Sequence, residues 1–371
     1  MTWSKLNILN LLHEVDTKIV RKFFKSNHLK YRVTNVENAE LYRDKAKGYN
    51  KIIGAIGQKG KIKFCPNIAT TGTNNAIPGK VFINTGPVEA EALWKPFMFT
   101  VAFTSISFMM AVILQYERVR NYAYRALKDP DIWFNYQNDK HRSSSRESQI
   151  AKKNWWNNLS SGERVFLPIC IANIIVFGAW RIPSLLPVMV KKFCSNPASS
   201  SPCWPMFLST FSHYSPLHLF ANMYVLHSFS AVAMSSLSPE EFLALYFSSG
   251  VIASFCSYLV KAATGKSGLT LGASGAIMGI IGFVCLRYPE TKLSIIFLPW
   301  VQFSALSAIK AMMALDITGI LMGWRVFDHG AHVGGGLAGI FWSLFGHPEL
   351  WQKRETLLKY WVKIRGGQGP N

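Results

Sequence analysis

Residues 266–287 read KSGLTLGASGAIMGIIGFVCLR, and residues 328–349 read DHGAHVGGGLAGIFWSLFGHPE. Each encloses 20 uncharged residues between flanking charges, enough to cross a bilayer, which takes about 20 apolar residues. Each opens on a polar cluster, Gly272-Ala273-Ser274-Gly275 in one and Asp328-His329-Gly330-Ala331-His332 in the other. Gly275, Gly279 and Gly282 stripe one side of the first helix. Gly335 and Gly339 stripe the second, beside Gly334, Gly336 and Ala338. Small residues let membrane helices approach closely. Two such faces in contact bring Ser274 within hydrogen-bond reach of His332.

The rest of the chain fits this reading. Residues 165–348 hold 9 Lys/Arg and 5 Asp/Glu among 184, whereas the other 187 residues hold 31 and 15. That imbalance excludes an ordinary soluble enzyme, a disulfide-stapled secreted module and a disordered tail protein. Further apolar segments lie between Lys95 and Glu117, Arg164 and Arg181, and Glu241 and Lys261. Another starts near Leu217, after a Pro- and Ser-rich loop at 195–216, and another covers about 305–323. Residues 293–303, with Pro299, read as a loop or partly inserted segment. The expected fold is an all-α, polytopic membrane helical bundle. Its parts are a basic arm (1–95), a solitary transmembrane helix (96–116), a basic linker (117–164), a six-helix core (165–348) and a basic tail (349–371).

The net charge of +20 is spread beside apolar spans, as in loops next to an anionic membrane surface, not clustered as for nucleic acid. Residues 17–36 carry six Lys/Arg and no acid, the composition of a mitochondrial presequence, although Glu14 and Asp16 weaken the match. The six cysteines form no CxxC pair and indicate neither zinc nor a disulfide framework; Cys194 and Cys203 share one loop and could pair. Lys310 and Asp316 interrupt one span. An ionisable residue there is a functional suspect by default, although Lys310 can snorkel.

In an antiparallel bundle alternate spans run the same way. The polar starts of the third, fifth and seventh spans therefore lie on one membrane face; the third contributes His213, Ser215, His218 and Asn222. A serine hydroxyl becomes a nucleophile when an adjacent base takes its proton, and a helix start favours developing negative charge. His218 and Asn222, four apart on one face, can add donors to an oxyanion, or simply pack the bundle. Asp328 can orient His332 or cap the last helix, and the cap explains it fully. Competing patterns fail. The Ser307-x-x-Lys310 pair has no accompanying KTG, Thr264-Gly265-Lys266-Ser267 has Val260 where a phosphate loop needs glycine, and GASGA is not GxSxG. HExxH is absent and the four histidines lack the spacing for a metal site.

With HLFAN at 218–222, GASG at 272–275 and AHVGG at 331–335, the chain resembles the rhomboid family of intramembrane serine proteases, and in TFSHYSPLHLFANMYVL and IIFLPW its mitochondrial branch. The resemblance implies Ser274 as nucleophile, His332 as general base, and His218, Asn222 and the Ser274 amide as oxyanion donors, with Gly272 shaping the loop. It implies cofactor-free peptide-bond hydrolysis in or beside the transmembrane segments of single-pass mitochondrial membrane proteins. It also implies an inner-membrane location, with the N-terminus in the matrix and the C-terminus in the intermembrane space. Charge counting beside the solitary helix points the other way, since Arg118, Arg120, Arg125 and Lys128 follow it. Three positions depart from the family pattern: Met278 replaces an aromatic residue, Met234 replaces a glutamate, and Trp180-Arg181 ends a helix instead of lying in the first core loop. A catalytically silent scaffold that binds membrane helices is the alternative, although silent members usually lose Ser or His. A transporter would show repeats and broken helices in matching halves, and neither is found.

Overall fold

The computed structural model describes residues 90–128, 155–266, 268–295, 298–324 and 326–365. The expectations for residues 1–89, for most of the linker (129–154) and for 366–371 lie outside the described residues. Within them the chain forms α1 (Trp94–Lys128), α2 (Ser161–Ala179), the short α3 (Leu186–Lys192) and α4 (Cys203–Leu208), α5 (Pro216–Ala233), α6 (Pro239–Thr264) and α7 (Ser274–Arg287). A hairpin of β1 (Lys292–Ile295) and β2 (Leu298–Ser304) follows, then α8 (Ala305–Met322), α9 (His329–Phe341), a π-helical continuation over Trp342–Trp351, and α10 (Glu355–Ile364).

Local chemistry sets the helix ends. Ser160 and Glu163 form a reciprocal capping box at the start of α2, satisfying two otherwise orphaned amides. Ser238 caps α6 with Pro239 in its first turn, and α6 ends on left-handed Gly265. Ser304 caps α8, and Asp328 caps α9 through the Ala331 amide at 3.0 Å. Only α7, of these long core helices, starts without proline or a side-chain cap, on Ala273.

Four described helices are long and apolar enough to cross a membrane: Glu91–Tyr122, Ser161–Ala179, Pro239–Thr264 and Ala305–Met322. The other three expected spans are helical as well. α5 carries His218, Asn222 and His227, and α9 runs on into its π-helical turns. α7 has 14 residues, about 21 Å at 1.5 Å per residue, against an apolar bilayer core of roughly 30 Å. It is too short to cross that core alone.

α7 is the central helix, buried from Gly275 to Cys285 and packed on by α5, α6, α8 and α9. Its contact with α9 is backbone to backbone. A Cβ added at Gly335 would stand 1.9 Å from the Gly275 carbonyl oxygen, and one at Gly339 1.9 Å from that of Gly279. Outside this core α1 lies along α6, with Phe97 on Phe255 at 5.8 Å and Phe108 stacked on Trp342 at 3.8 Å.

Three expectations need correcting. The solitary helix does not stop near residue 116; it continues to Lys128, because no Gly or Pro intervenes and Glu117 is held by Trp361 of α10 and by Arg365 just past its end. Residues 293–295 and 298–303 lie in paired antiparallel strands, Leu293 opposite Phe303 and Ser294 opposite Gln302. The 195–216 loop contains α4 and a turn of 3₁₀ helix at Ser209–Phe211. Cys194 and Cys203 are free thiols, and Lys310 is exposed on α8.

The glycine contact makes a signed prediction. Gly339→Ala forces α9 off α7 and should destabilise by about 1–3 kcal/mol, the usual cost of overpacking. Gly178→Ala, where an added Cβ meets nothing within 4 Å, should be neutral or stabilise by up to about 1 kcal/mol through helix propensity. Thermal unfolding of the two variants in detergent distinguishes them.

Candidate active site

The loop leading into α7 is fixed residue by residue. Thr270 forms a two-way backbone bridge with Ser195, at 2.8 and 3.0 Å. The Gly272 amide donates to the Ser209 carbonyl at 3.0 Å, and the Ala273 amide to His213 Nε2 at 3.3 Å. Gly272 has φ +135°, and a Cβ there would meet the His218 ring at 2.8 Å, so conformation and space both require glycine. The next residue after these anchored amides is Ser274, at the first turn of an uncapped helix, where backbone N–H groups have no intrahelical partner.

Ser274 Oγ lies 3.0 Å from His332 Nε2. His332 Nδ1 lies 3.2 Å from Asp316 Oδ1 of α8, and the same oxygen lies 2.6 Å from His329 Nδ1. Phe327 stands beside both histidines, with ring centroids 6.0 Å from His332 and 6.1 Å from His329. Met278 supplies no ring to His332, so Phe327, from the turn before α9, is the aromatic neighbour. Asp316 and Phe327 are contacts that sequence spacing did not reveal.

His218 and Asn222 occupy the first two turns of α5 on the same side of the site. Asn222 spends one amide hydrogen on the His218 carbonyl at 2.9 Å, and the second hydrogen remains for another acceptor. His213 is fully buried and 4.9 Å, ring to ring, from His218. Burial, then neighbouring His218, push its pKa down to about 3, so it is a neutral ring that accepts from the Ala273 amide. Trp180 donates to Ser212 at 2.8 Å and Arg181 to the Tyr214 carbonyl at 2.7 Å, which ties the end of α2 to this loop. Among the described residues no three His, Cys, Asp or Glu side chains are grouped as a metal would require.

Asp328 points away from His332. Its Oδ2 accepts from Ser257 at 2.5 Å and Thr270 at 2.6 Å and lies 3.6 Å from Lys261 Nζ; its Oδ1 accepts the Ala331 amide. Lys261 also donates to the Gly268 carbonyl at 3.1 Å. This clamp joins α6, the loop before Ser274 and the helix that carries His332. Burial works to raise the Asp328 pKa, but Lys261, the two hydroxyls and the amide outweigh it and hold the carboxyl below the usual range.

A helical membrane bundle of this architecture, with a Ser–His contact at the start of its central helix, defines a class of protein, and the comparisons identify it. A family model described as the Rhomboid domain matches residues 200–349. Presenilin-associated rhomboid-like protein A, mitochondrial, of Danio rerio is 43% identical over 322 residues, covering 81% of this chain and 83% of the relative. The Homo sapiens presenilin-associated rhomboid-like protein, mitochondrial, is 47% identical over 283 residues, covering 75% and 73%. Rhomboid protein 1, mitochondrial, of Saccharomyces cerevisiae is 29% identical over 189 residues, covering 50% and 54%. The chain belongs to the rhomboid family.

A depressed carboxylate pKa stabilises the fold above the unfolded value, about 3.9, and that contribution is lost as pH falls below it. Asp328→Asn should therefore lower the unfolding temperature at pH 7 and flatten its decline below about pH 4. Thr270→Val, which removes one donor to the carboxylate, should cost about 1 kcal/mol. Thermal scans across pH check both.

Proposed function

We propose that this chain is an intramembrane serine protease of the mitochondrial inner membrane, cutting single-pass membrane proteins within or beside their transmembrane segments. The observation that carries the reading is the 3.0 Å contact between Ser274 Oγ and His332 Nε2, formed at a helix start whose amides are free to receive negative charge. His332 Nε2 takes the proton as Ser274 Oγ attacks the carbonyl carbon of the scissile bond. The resulting oxyanion accepts hydrogen bonds from the Ser274 amide, His218 and Asn222, in surroundings where such bonds are strong. The imidazolium then gives its proton to the leaving amine, leaving an acyl-enzyme. Water, deprotonated by the same nitrogen, releases the acid and restores Ser274. Gly272 lets the loop pass beneath His218.

The mitochondrial names of the relatives and the presequence-like stretch support the location. α1 starts beside the C-terminal half of α6, Phe97 against Phe255, on the face where α7 begins. With the N-terminal side in the matrix, Ser274 opens toward the matrix and the C-terminal side reaches the intermembrane space.

The test is cleavage of a single-pass transmembrane substrate in proteoliposomes. Wild type should cut, while Ser274→Ala and His332→Ala should each lose several orders of magnitude, because nucleophile and base act as a unit. Cutting by Ser274→Ala at the wild-type rate contradicts the reading, as does a wild type that cuts none of a panel of helices from mitochondrial membrane proteins.

A further inference from the structure

Asp316 is the one acidic residue of α8, and a carboxylate within an apolar span is costly unless partnered. It is 5% exposed, turned away from lipid. Its Oδ1 receives two histidine nitrogens from α9, His329 Nδ1 at 2.6 Å and His332 Nδ1 at 3.2 Å. Gly319, one turn further along α8, makes the approach possible: a Cβ there would lie 2.6 Å from the His329 ring. The two helices meet where α8 has no side chain, and the imidazole of α9 fills the space.

The chemistry of this contact reaches Ser274. A carboxylate oxygen can only accept, so its contact with His332 requires the hydrogen on Nδ1. That tautomer leaves the lone pair of Nε2 facing Ser274 Oγ, as a general base needs. The other tautomer would donate to the hydroxyl and could not take its proton. Once His332 has taken that proton, its positive charge lies next to the carboxylate, in surroundings where opposite charges attract strongly.

We propose that Asp316 is a positioning residue that selects the His332 tautomer, fixes its ring and offsets its charge, completing a Ser274–His332–Asp316 triad drawn from α7, α9 and α8. His329 is the second tether that keeps the carboxylate in place. This rests on the protease reading of Ser274 and His332. The histidines and ionised groups on the helices around the site are His218 on α5; Lys261 on α6 and Asp328 before α9, which pair with each other away from His332; Asp316 on α8; and His329 on α9. Of these only Asp316 touches His332 Nδ1.

The stronger of its two bonds is to His329, so a purely structural latch between α8 and α9 is the competing account. The experiment compares wild type, Asp316→Asn, Asp316→Glu, His329→Gln and Ser274→Ala in proteoliposomes. It measures kcat and KM on a single-pass transmembrane substrate, the labelling rate of Ser274 by a fluorophosphonate, and the unfolding temperature. Asp316→Asn should lower kcat and the labelling rate by up to roughly 10,000-fold, the loss seen when a triad aspartate becomes asparagine, with KM within about twofold. Asp316→Glu should recover part of that loss, and His329→Gln, which removes one tether of the carboxylate but no contact with His332, should lose comparable thermal stability and far less of kcat than Asp316→Asn. Parallel losses of kcat and stability in Asp316→Asn and His329→Gln, or an unchanged kcat in Asp316→Asn, overturn the proposal. Should Asp316→Asn not fold, the glutamate variant decides: an unchanged kcat overturns the proposal, and a reduced kcat with unchanged KM sustains it. A wild type labelled no faster than Ser274→Ala overturns the protease reading itself.

Discussion

The distance between α7 and α9 is the constraint from which the rest follows. Carbonyls of Gly275 and Gly279 lie where any side chain at Gly335 or Gly339 would stand. In lipid no hydrophobic force draws apolar helices together, so close packing and hydrogen bonds must hold them. A backbone-to-backbone seam gives the densest packing available. Because Ser274 sits at the head of one helix and His332 near the head of the other, the seam sets their separation. The surrounding helices add to it. α6 packs on both and supplies Ser249, whose hydroxyl occupies the space a Cβ of Gly279 would take. α1 reaches the far end of the seam through Phe108 and Trp342.

A seam alone would leave polar groups stranded in an apolar interior, and the structure answers this with shared acceptors. Asp328 gathers two hydroxyls, an amide and an ammonium, and in doing so ties the loop before Ser274 to the helix of His332. Asp316 gathers two imidazoles. At the opposite end Glu241, fully buried, accepts from Trp342 at 3.0 Å and pairs with His347 at 2.7 Å, anchoring the π-helical end of α9 to the start of α6. Each carboxylate joins helices that packing alone would let slide. Among the long core helices described, α7 alone starts with neither proline nor a side-chain cap, which leaves its first backbone donors to seek a partner.

The bundle and the meeting of Ser274 with His332 were legible in the sequence because both follow from periodicity. Glycines three and four apart mark a face, and charged residues mark the span ends. Asp316 was harder to place. It lies 16 residues before His332, in a different helix, and only the rotation of α8 about its own axis determines whether it faces lipid or the histidine. Nothing in the spacing fixes that rotation except Gly319, whose meaning depends on where the His329 ring falls. Phe327 was missed because it belongs to a turn, where periodicity is silent. The end of α1 was misplaced for a related reason: Glu117 looks like a span boundary, but its partners Trp361 and Arg365 lie more than 240 residues away and carry the helix onward.

The most direct test of this account is the reactivity of Ser274 toward a fluorophosphonate in membranes, measured for wild type, His332→Ala, Gly335→Ala and Gly178→Ala. If the seam sets the pair, Gly335→Ala should label as slowly as His332→Ala, while Gly178→Ala labels at the wild-type rate. Wild-type labelling in a folded Gly335→Ala protein would contradict it, because Ser274 would then keep its partner without the close approach of α7 and α9.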